Sequence, residues 1–133
     1  MKWQQLFSLI TRRIKQVFGL YAFVLIPMWG MFFLNETLLF GLWNIFGIVP
    51  RALDLGSMIG VFASSTMHGN FSHLLGNTLT LLQILFLFGL FENNAYRTVI
   101  KLIVASGLAT WIIGSPLSIH IGASGLCFAM LGI

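Results

Sequence analysis

Long stretches without any charged side chain constrain this chain more than any other feature. The first, residues 17–34, runs for 18 residues between Lys15 and Glu36. A helix of that length spans about 27 Å, close to the roughly 30 Å of a bilayer's hydrocarbon core. Only 8% of the residues are charged, against about 25% in ordinary soluble domains. The pattern predicts an all-α, polytopic transmembrane helix bundle.

Further apolar segments complete the predicted bundle. We predict membrane helices at about 17–34, 71–91, 98–113 and 122–133. Between the first two, residues 35–70 remain apolar but are interrupted by glycine and proline, which predicts an interfacial loop with short helices. Residues 1–16 mix basic and apolar side chains and predict a cytoplasmic amphipathic segment.

The basic residues predict an orientation. Six of the seven Lys and Arg residues share one side if the N-terminus and the turn near residue 94 are cytoplasmic, and only Arg51 lies opposite. This suits a bacterial plasma membrane, although an organellar one is an alternative. The bases are scattered rather than gathered on one face, so the expected partner is the lipid bilayer and not nucleic acid.

The last predicted helix is unusually short. Residues 122–133 make about 18 Å of helix, which is less than the hydrocarbon core of a bilayer. We therefore expect a bundle truncated after the start of its fourth helix. The chain would then be an incomplete gene product, a deliberately shortened form, or one piece of a larger chain.

Polar side chains at the start of the second predicted helix are candidates for function, because such groups are rare inside membranes. On a helix His73 and Asn77 share one face, whereas His68 and His73 are expected to point apart, which makes His68 a loop or capping residue. Gly76 is expected to admit a neighbouring helix. A polar helix contact is the alternative interpretation, and a metal site is disfavoured because no cysteine or carboxylate is near.

Ser124 lies between Gly122 and Gly125. Small neighbours leave a hydroxyl approachable, as a nucleophile requires, although close helix packing alone would also explain them. Together with side-chain donors from His73 and Asn77, Ser124 would supply a nucleophile and a site for an oxyanion.

Three separated stretches resemble the rhomboid family of intramembrane serine proteases. They are residues 46–51, which read Phe-Gly-Ile-Val-Pro-Arg, the spacing of His68, His73 and Asn77, and the pattern Gly122-x-Ser124-Gly125. The likeness covers about residues 17–133. It implies an intramembrane serine endopeptidase that uses a Ser-His dyad, has no metal or organic cofactor, and cleaves transmembrane proteins.

The resemblance also implies roles for individual residues. Ser124 would be the nucleophile, and its backbone N–H would form the oxyanion hole with His73 and Asn77. The supporting residues would be His68, Gly122, Gly125 and Arg51, the last in a loop that braces the bundle.

One departure from the family pattern concerns the general base. In rhomboids it is a histidine on the sixth membrane helix, which this chain lacks, so we expect the chain alone to be inactive. His120 precedes Ser124 by four residues, but Pro116 and Gly122 predict a loop rather than a shared helical face. The alternative is a non-catalytic rhomboid-like protein that binds transmembrane helices. A small transporter has less support, because no charged residue falls at mid-membrane.

Overall fold

Five α-helices form the fold in the computed structural model, which describes residues 2–132. They are α1 (Trp3–Thr37), α2 (Leu55–Ala63), α3 (Phe71–Phe91), α4 (Ala95–Ile113) and α5 (Ser124–Leu131). Over residues 2–132 there is no β-strand, only an isolated antiparallel bridge between Ile48 and His120. Helices α1, α3 and α4 are each long and apolar enough to cross a membrane. The prediction of an all-helical chain with membrane helices is confirmed at this level.

Helix α1 is continuous from Trp3 to Thr37. The predicted amphipathic segment, residues 1–16, and the predicted membrane segment, residues 17–34, are therefore joined in one helix without a break between them. The physical reason is that residues 3–18 contain neither proline nor glycine, so nothing ends the helix before the membrane segment begins. Pro27 lies inside α1, as expected of a proline in a packed membrane bundle.

The other helix bounds lie close to the predicted ones. Helix α3 has the predicted bounds, α4 begins three residues earlier than predicted, and α5 lies within the predicted residues 122–133. Residue 133 itself falls outside the described residues. The predicted short helices between α1 and α3 are α2 and two 3₁₀ turns, Leu42–Phe46 and Ser64–Thr66.

Glycines allow close contact between helices, but not at the predicted position. A Cβ on Gly107 would collide with the backbone of Val61 in α2, and one on Gly89 would collide with Val17 in α1. A Cβ on Gly76 would meet no atom within 4 Å among the described residues. The prediction that Gly76 admits a neighbouring helix is wrong, because that side of α3 faces outward.

The α1–α3 loop, residues 38–70, is hydrogen-bonded to the C-terminal end of α4. The Arg51 N–H donates to the Trp111 carbonyl over 2.9 Å, and its guanidinium donates to the Ile112 carbonyl over 3.1 Å. Trp111 donates in return from Nε1 to the Ala52 carbonyl over 2.9 Å. A cation at a helix C-terminus also favours the helix dipole. Arg51 thus joins this loop to the bundle.

Candidate functional site

The start of α5 is held by backbone hydrogen bonds from the α4–α5 loop, residues 114–123. His120 and Ile48 exchange two N–H to carbonyl bonds of 2.8 and 2.9 Å, and the Gly122 N–H donates to the Ser64 carbonyl over 2.9 Å. The two partner residues, Ile48 and Ser64, lie in the α1–α3 loop. The segment that leads into Ser124 is therefore positioned by residues about 60 to 70 positions earlier in the chain.

His73 and Asn77 lie against Gly122. A Cβ on Gly122 would stand 2.6 Å from Nε2 of His73 and 3.4 Å from Nδ2 of Asn77. Gly122 also has φ +108, a conformation that favours glycine. The Asn70 side chain fixes the start of α3 by accepting from the His73 N–H over 2.8 Å. The structure thus places the side chains of His73 and Asn77, as predicted candidates, next to Gly122, which precedes Ser124 by two residues.

His68 is the most buried of the polar site residues, at 1% exposure. Its Nε2 accepts from the Ala123 N–H over 3.4 Å and lies 2.9 Å from Nδ2 of Asn77. Because a backbone N–H can only donate, Nε2 is the unprotonated nitrogen and the Asn77 amide donates to it. His68 therefore links the α1–α3 loop, α3 and the residue that precedes Ser124.

The prediction that His68 and His73 point apart is wrong. Their ring centroids are 5.1 Å apart, in an edge-on contact. A five-residue spacing separates two side chains only when both lie on one helix, and His68 lies, as predicted, in the loop before α3, whose capping residue is Asn70. Because the loop does not follow helical geometry, it places the His68 ring beside the His73 ring.

Burial keeps His68 neutral. Loss of hydration is the larger cause, and the adjacent His73, whose positive ring would repel a second one, is the smaller cause of a shift that lowers the pKa of His68 from 6.5 to about 4. At neutral pH the ring is thus a fixed hydrogen-bond acceptor. This role makes His68 a structural support of the loop before Ser124 rather than a proton carrier.

A polar cavity of about 180 Å³ adjoins Ser124. Its lining includes hydroxyl-bearing residues from the α1–α3 loop, from α4 and from α5, and a histidine from the α4–α5 loop: Ser64, Ser65, Ser106, Thr110, Ser124 and His120. Gly125 faces α4, where a Cβ would be in ordinary contact with Ser106 at 3.6 Å. A cavity of this volume, lined by hydroxyl-bearing residues, is suited to hold water beside Ser124.

His120 lies in the same cavity but has other partners. Its Nε2 is 3.1 Å from the Ser118 hydroxyl and 3.2 Å from the Ser115 carbonyl. The prediction that His120 belongs to a loop is confirmed, since α5 begins only at Ser124. Between residues 2 and 132, no histidine forms a hydrogen bond with the Ser124 side chain. Over the same residues, no three His, Cys, Asp or Glu side chains are grouped as a metal site would require.

The arrangement offers hydrogen-bond donors beside an accessible hydroxyl. Ser124 is the first residue of α5, so its N–H has no acceptor within the helix and points out of the helix N-terminus. Asn77 uses its amide nitrogen on His68 and has a second N–H available. Such donors can stabilise an oxygen that acquires negative charge.

Comparisons with known proteins find relatives without an assigned activity. No protein-family model and no solved structure matches the chain. Uncharacterized proteins of Mycobacterium bovis and Mycobacterium tuberculosis are each 37% identical over 94 residues, covering 66% of this chain and 38% of the relative. An uncharacterized protein of Mycobacterium leprae is 34% identical over 87 residues, covering 61% and 35%. The chain thus spans less than two fifths of the length of these relatives.

Sequence reasoning missed four hydroxyl-bearing residues that line the cavity: Ser64, Ser65, Ser106 and Thr110. Ser106 and Thr110 are four residues apart in α4, which places them on one face of that helix. Two hydroxyls at that spacing within an apolar helix indicate a polar contact on one face, so the sequence contained a signal for these two residues. Ser64 and Ser65 gave no comparable signal, because their contribution depends on how the α1–α3 loop folds against α5.

Proposed function

We propose that this chain is part of a rhomboid-type intramembrane serine endopeptidase that cleaves transmembrane proteins, with Ser124 as its nucleophile. The observation that carries the proposal is the convergence of His73 and Asn77 on Gly122, two residues before Ser124. A purely structural helix contact would not need two polar side chains at a glycine with φ +108. The sequence resemblance to rhomboids supports the same assignment.

The proposed reaction is acyl transfer followed by hydrolysis. The Ser124 oxygen attacks the scissile carbonyl while its proton passes to a general base. The N–H of Ser124 and the side chains of His73 and Asn77 stabilise the oxyanion. The peptide C–N bond then breaks as the base returns the proton to the leaving amine. Water attacks the acyl-enzyme, which releases the acid and restores the Ser124 hydroxyl.

A general base from outside residues 2–132 is part of this proposal. Nε2 of His68 already accepts two N–H groups, and the His120 ring is engaged with Ser115 and Ser118. Removing the base from a catalytic serine commonly costs several orders of magnitude in rate. We therefore expect residues 1–133 alone to be inactive.

The proposed setting is a bacterial plasma membrane with the N-terminus cytoplasmic. Three helices long and apolar enough to span a membrane and the distribution of basic residues support it. His73 and Asn77 lie in the first two turns of α3, so in this proposal Ser124 works near one membrane surface. A substrate would therefore be cut close to the end of its own transmembrane helix.

The test is active-site labelling in native membranes, with the protein expressed from its own gene so that its natural partners are present. A fluorophosphonate probe is expected to label the wild type, but neither a heat-denatured sample nor Ser124→Ala. The matched control is Ser72→Ala, which changes an exposed serine in the first turn of α3 and should label like the wild type. Equal labelling of Ser124→Ala would overturn the assignment.

A second candidate is a non-catalytic rhomboid-like protein that binds transmembrane helices. It is favoured by one observation, that among residues 2–132 no base is hydrogen-bonded to Ser124. The same labelling experiment separates the two proposals. If the wild type resists the probe while remaining folded and crosslinkable to a transmembrane segment, the binding function is supported instead.

A further inference from the structure

Helix α1 is much longer than a membrane crossing requires. Its 35 residues span about 52 Å, against roughly 30 Å of hydrocarbon core. Among the described residues, Arg13 is the first residue of α1 that forms a hydrogen bond outside its own helix, to the Glu92 carbonyl at the end of α3. Val17 is the first residue of α1 that is buried. Residues 3–12, the α1 arm, therefore extend about 15 Å beyond that contact.

An apolar stripe follows one side of the arm. Its members recur at intervals of four, three, four and four residues and lie on one helical face: Trp3, Phe7, Ile10, Ile14 and Phe18. Trp3 is 85% exposed, Phe7 75% and Phe18 66%. The stripe ends at Phe18, in the part of α1 predicted to cross the membrane. Three residues after Phe18, Tyr21 on the same side of α1 packs on the bundle and donates from its hydroxyl to the Leu82 carbonyl of α3. The exposed stripe therefore occupies the arm and the first turn of the membrane-crossing part of α1.

The charges of the arm indicate which surface covers this stripe. Arg12 is exposed on the opposite side of α1, and exposed Lys15 lies beside the stripe. The nearest acidic residue in sequence is Glu36. A parallel second copy would bring like charges together, whereas an anionic lipid surface neutralises them. Aromatic residues on one face and bases on the other are typical of helices that lie in a membrane interface.

Two hydroxyls give the arm a place to bend toward the membrane. Thr11 Oγ1 donates to the Phe7 carbonyl over 2.9 Å, and Ser8 Oγ donates to the Gln5 carbonyl over 2.9 Å. Side-chain bonds of this kind compete with the helical ladder and often bend helices. Both lie between the Arg13 contact and the exposed aromatic end of the stripe.

We propose that the α1 arm is a docking site for anionic lipid. Its stripe enters the membrane interface, and Lys2, Arg12 and Lys15 contact phosphate groups of the lipid heads. This proposal does not depend on Ser124 or on any catalytic activity.

The test places the whole chain in nanodiscs with a spin label at position 10 or position 5, after buried Cys127 is replaced by alanine. In discs containing phosphatidylglycerol, Ile10→Cys should carry a label accessible to oxygen and protected from a nickel chelate. Gln5→Cys, at an exposed position on the other side of the helix, should show the reverse. In discs of phosphatidylcholine alone, both labels should be accessible to nickel.

Charge variants give the matched control. Arg12→Gln with Lys15→Gln should lower the ratio of docked to undocked arm by roughly thirtyfold, because each base near an anionic surface favours binding about fivefold. Arg97→Gln with Lys101→Gln removes the same charge from exposed residues of α4 and should leave the label at position 10 unchanged. If the two pairs of substitutions changed the label at position 10 equally, the arm would not be a specific site for anionic lipid and the proposal would be overturned.

Two further outcomes would also overturn the proposal. Equal exposure of both labels to nickel in phosphatidylglycerol discs would mean that the arm stays in water. Spin–spin broadening that appears only with two copies per disc would mean that a second copy covers the stripe. If the alanine at Cys127 prevents folding, hydrogen exchange of the unmodified chain decides. Residues 3–12 should exchange more slowly in phosphatidylglycerol than in phosphatidylcholine, and equal rates would contradict docking.

Discussion

Asn77 donates a hydrogen bond to Nε2 of His68 over 2.9 Å, between two residues that are 8% and 1% exposed. The same nitrogen accepts the Ala123 N–H. One neutral ring thus connects the loop before α3, the second turn of α3 and the residue before Ser124. The position of Ser124 depends on this buried polar connection as well as on apolar packing.

Replacement of either partner should destabilise the fold. In Asn77→Ala the buried His68 nitrogen loses a donor, and in His68→Ala the amides of Asn77 and Ala123 lose their acceptor. Each change is expected to lower the free energy of unfolding by about 1–3 kcal/mol. Denaturant titration in detergent measures it. The double variant should cost less than the sum of the single ones, and strict additivity would show that the two side chains do not act together.

Stability should fall as the pH drops from 6.5 to about 4. Because burial lowers the pKa of His68 to about 4, the unfolded chain takes up a proton in this range and the folded chain does not. The expected loss is up to about 3 kcal/mol and levels off below pH 4. His68→Gln cannot titrate, so the stability difference between wild type and this variant should change over that range. A constant difference would contradict the prediction.

Alanine should be tolerated at Gly125 but not at Gly122. Gly122 has φ +108, and a Cβ there would meet the His73 ring, whereas a Cβ on Gly125 makes ordinary contacts with Ser106. Gly122→Ala is expected to lower the free energy of unfolding by about 2–5 kcal/mol. Thermal unfolding in detergent compares the two variants. Adding His73→Ala should recover the part of the loss that comes from the collision, but not the backbone strain.

Close packing between α2 and α4 predicts that alanine is harmful at Gly107 and tolerated at Gly76. A Cβ on Gly107 would collide with the Val61 backbone, which cannot move aside as a flexible side chain can. Gly107→Ala is expected to cost about 1–3 kcal/mol or more. Gly76→Ala faces open space and should be neutral or stabilise α3 by up to about 1 kcal/mol. The amount of monodisperse protein and its unfolding midpoint report both effects, and equal results would refute this packing.

Patterns within a single segment predicted the helices well. The bounds of α3 follow from one long apolar run that begins after Asn70 and ends at Glu92. For α1 the composition predicted an amphipathic segment over residues 1–16 and a membrane segment over residues 17–34, and the structure joins the two in one helix. Composition changes at the membrane surface, but a helix ends only where a backbone hydrogen bond is lost.

The site was predictable in its members and not in its arrangement. The four-residue spacing of His73 and Asn77 placed both on one face of α3, and the structure turns that face toward Gly122. The sequence alone could not reveal that His68 returns to the same point, because the path of a loop depends on contacts made far away in the chain. The cavity lined by Ser64 and Thr110 depends on distant parts of the chain in the same way.

The sequence by itself determined that the chain is helical and apolar enough to cross a membrane, since hydrophobic run length and charge are local properties. Only the tertiary structure decided what surrounds Ser124. The Ile48–His120 bridge, the Ser64–Gly122 bond and the contact of His68 with Ala123 each join segments more than 50 residues apart. Such contacts depend on the packing of α1, α3 and α4 together, and no periodicity within one segment reports them.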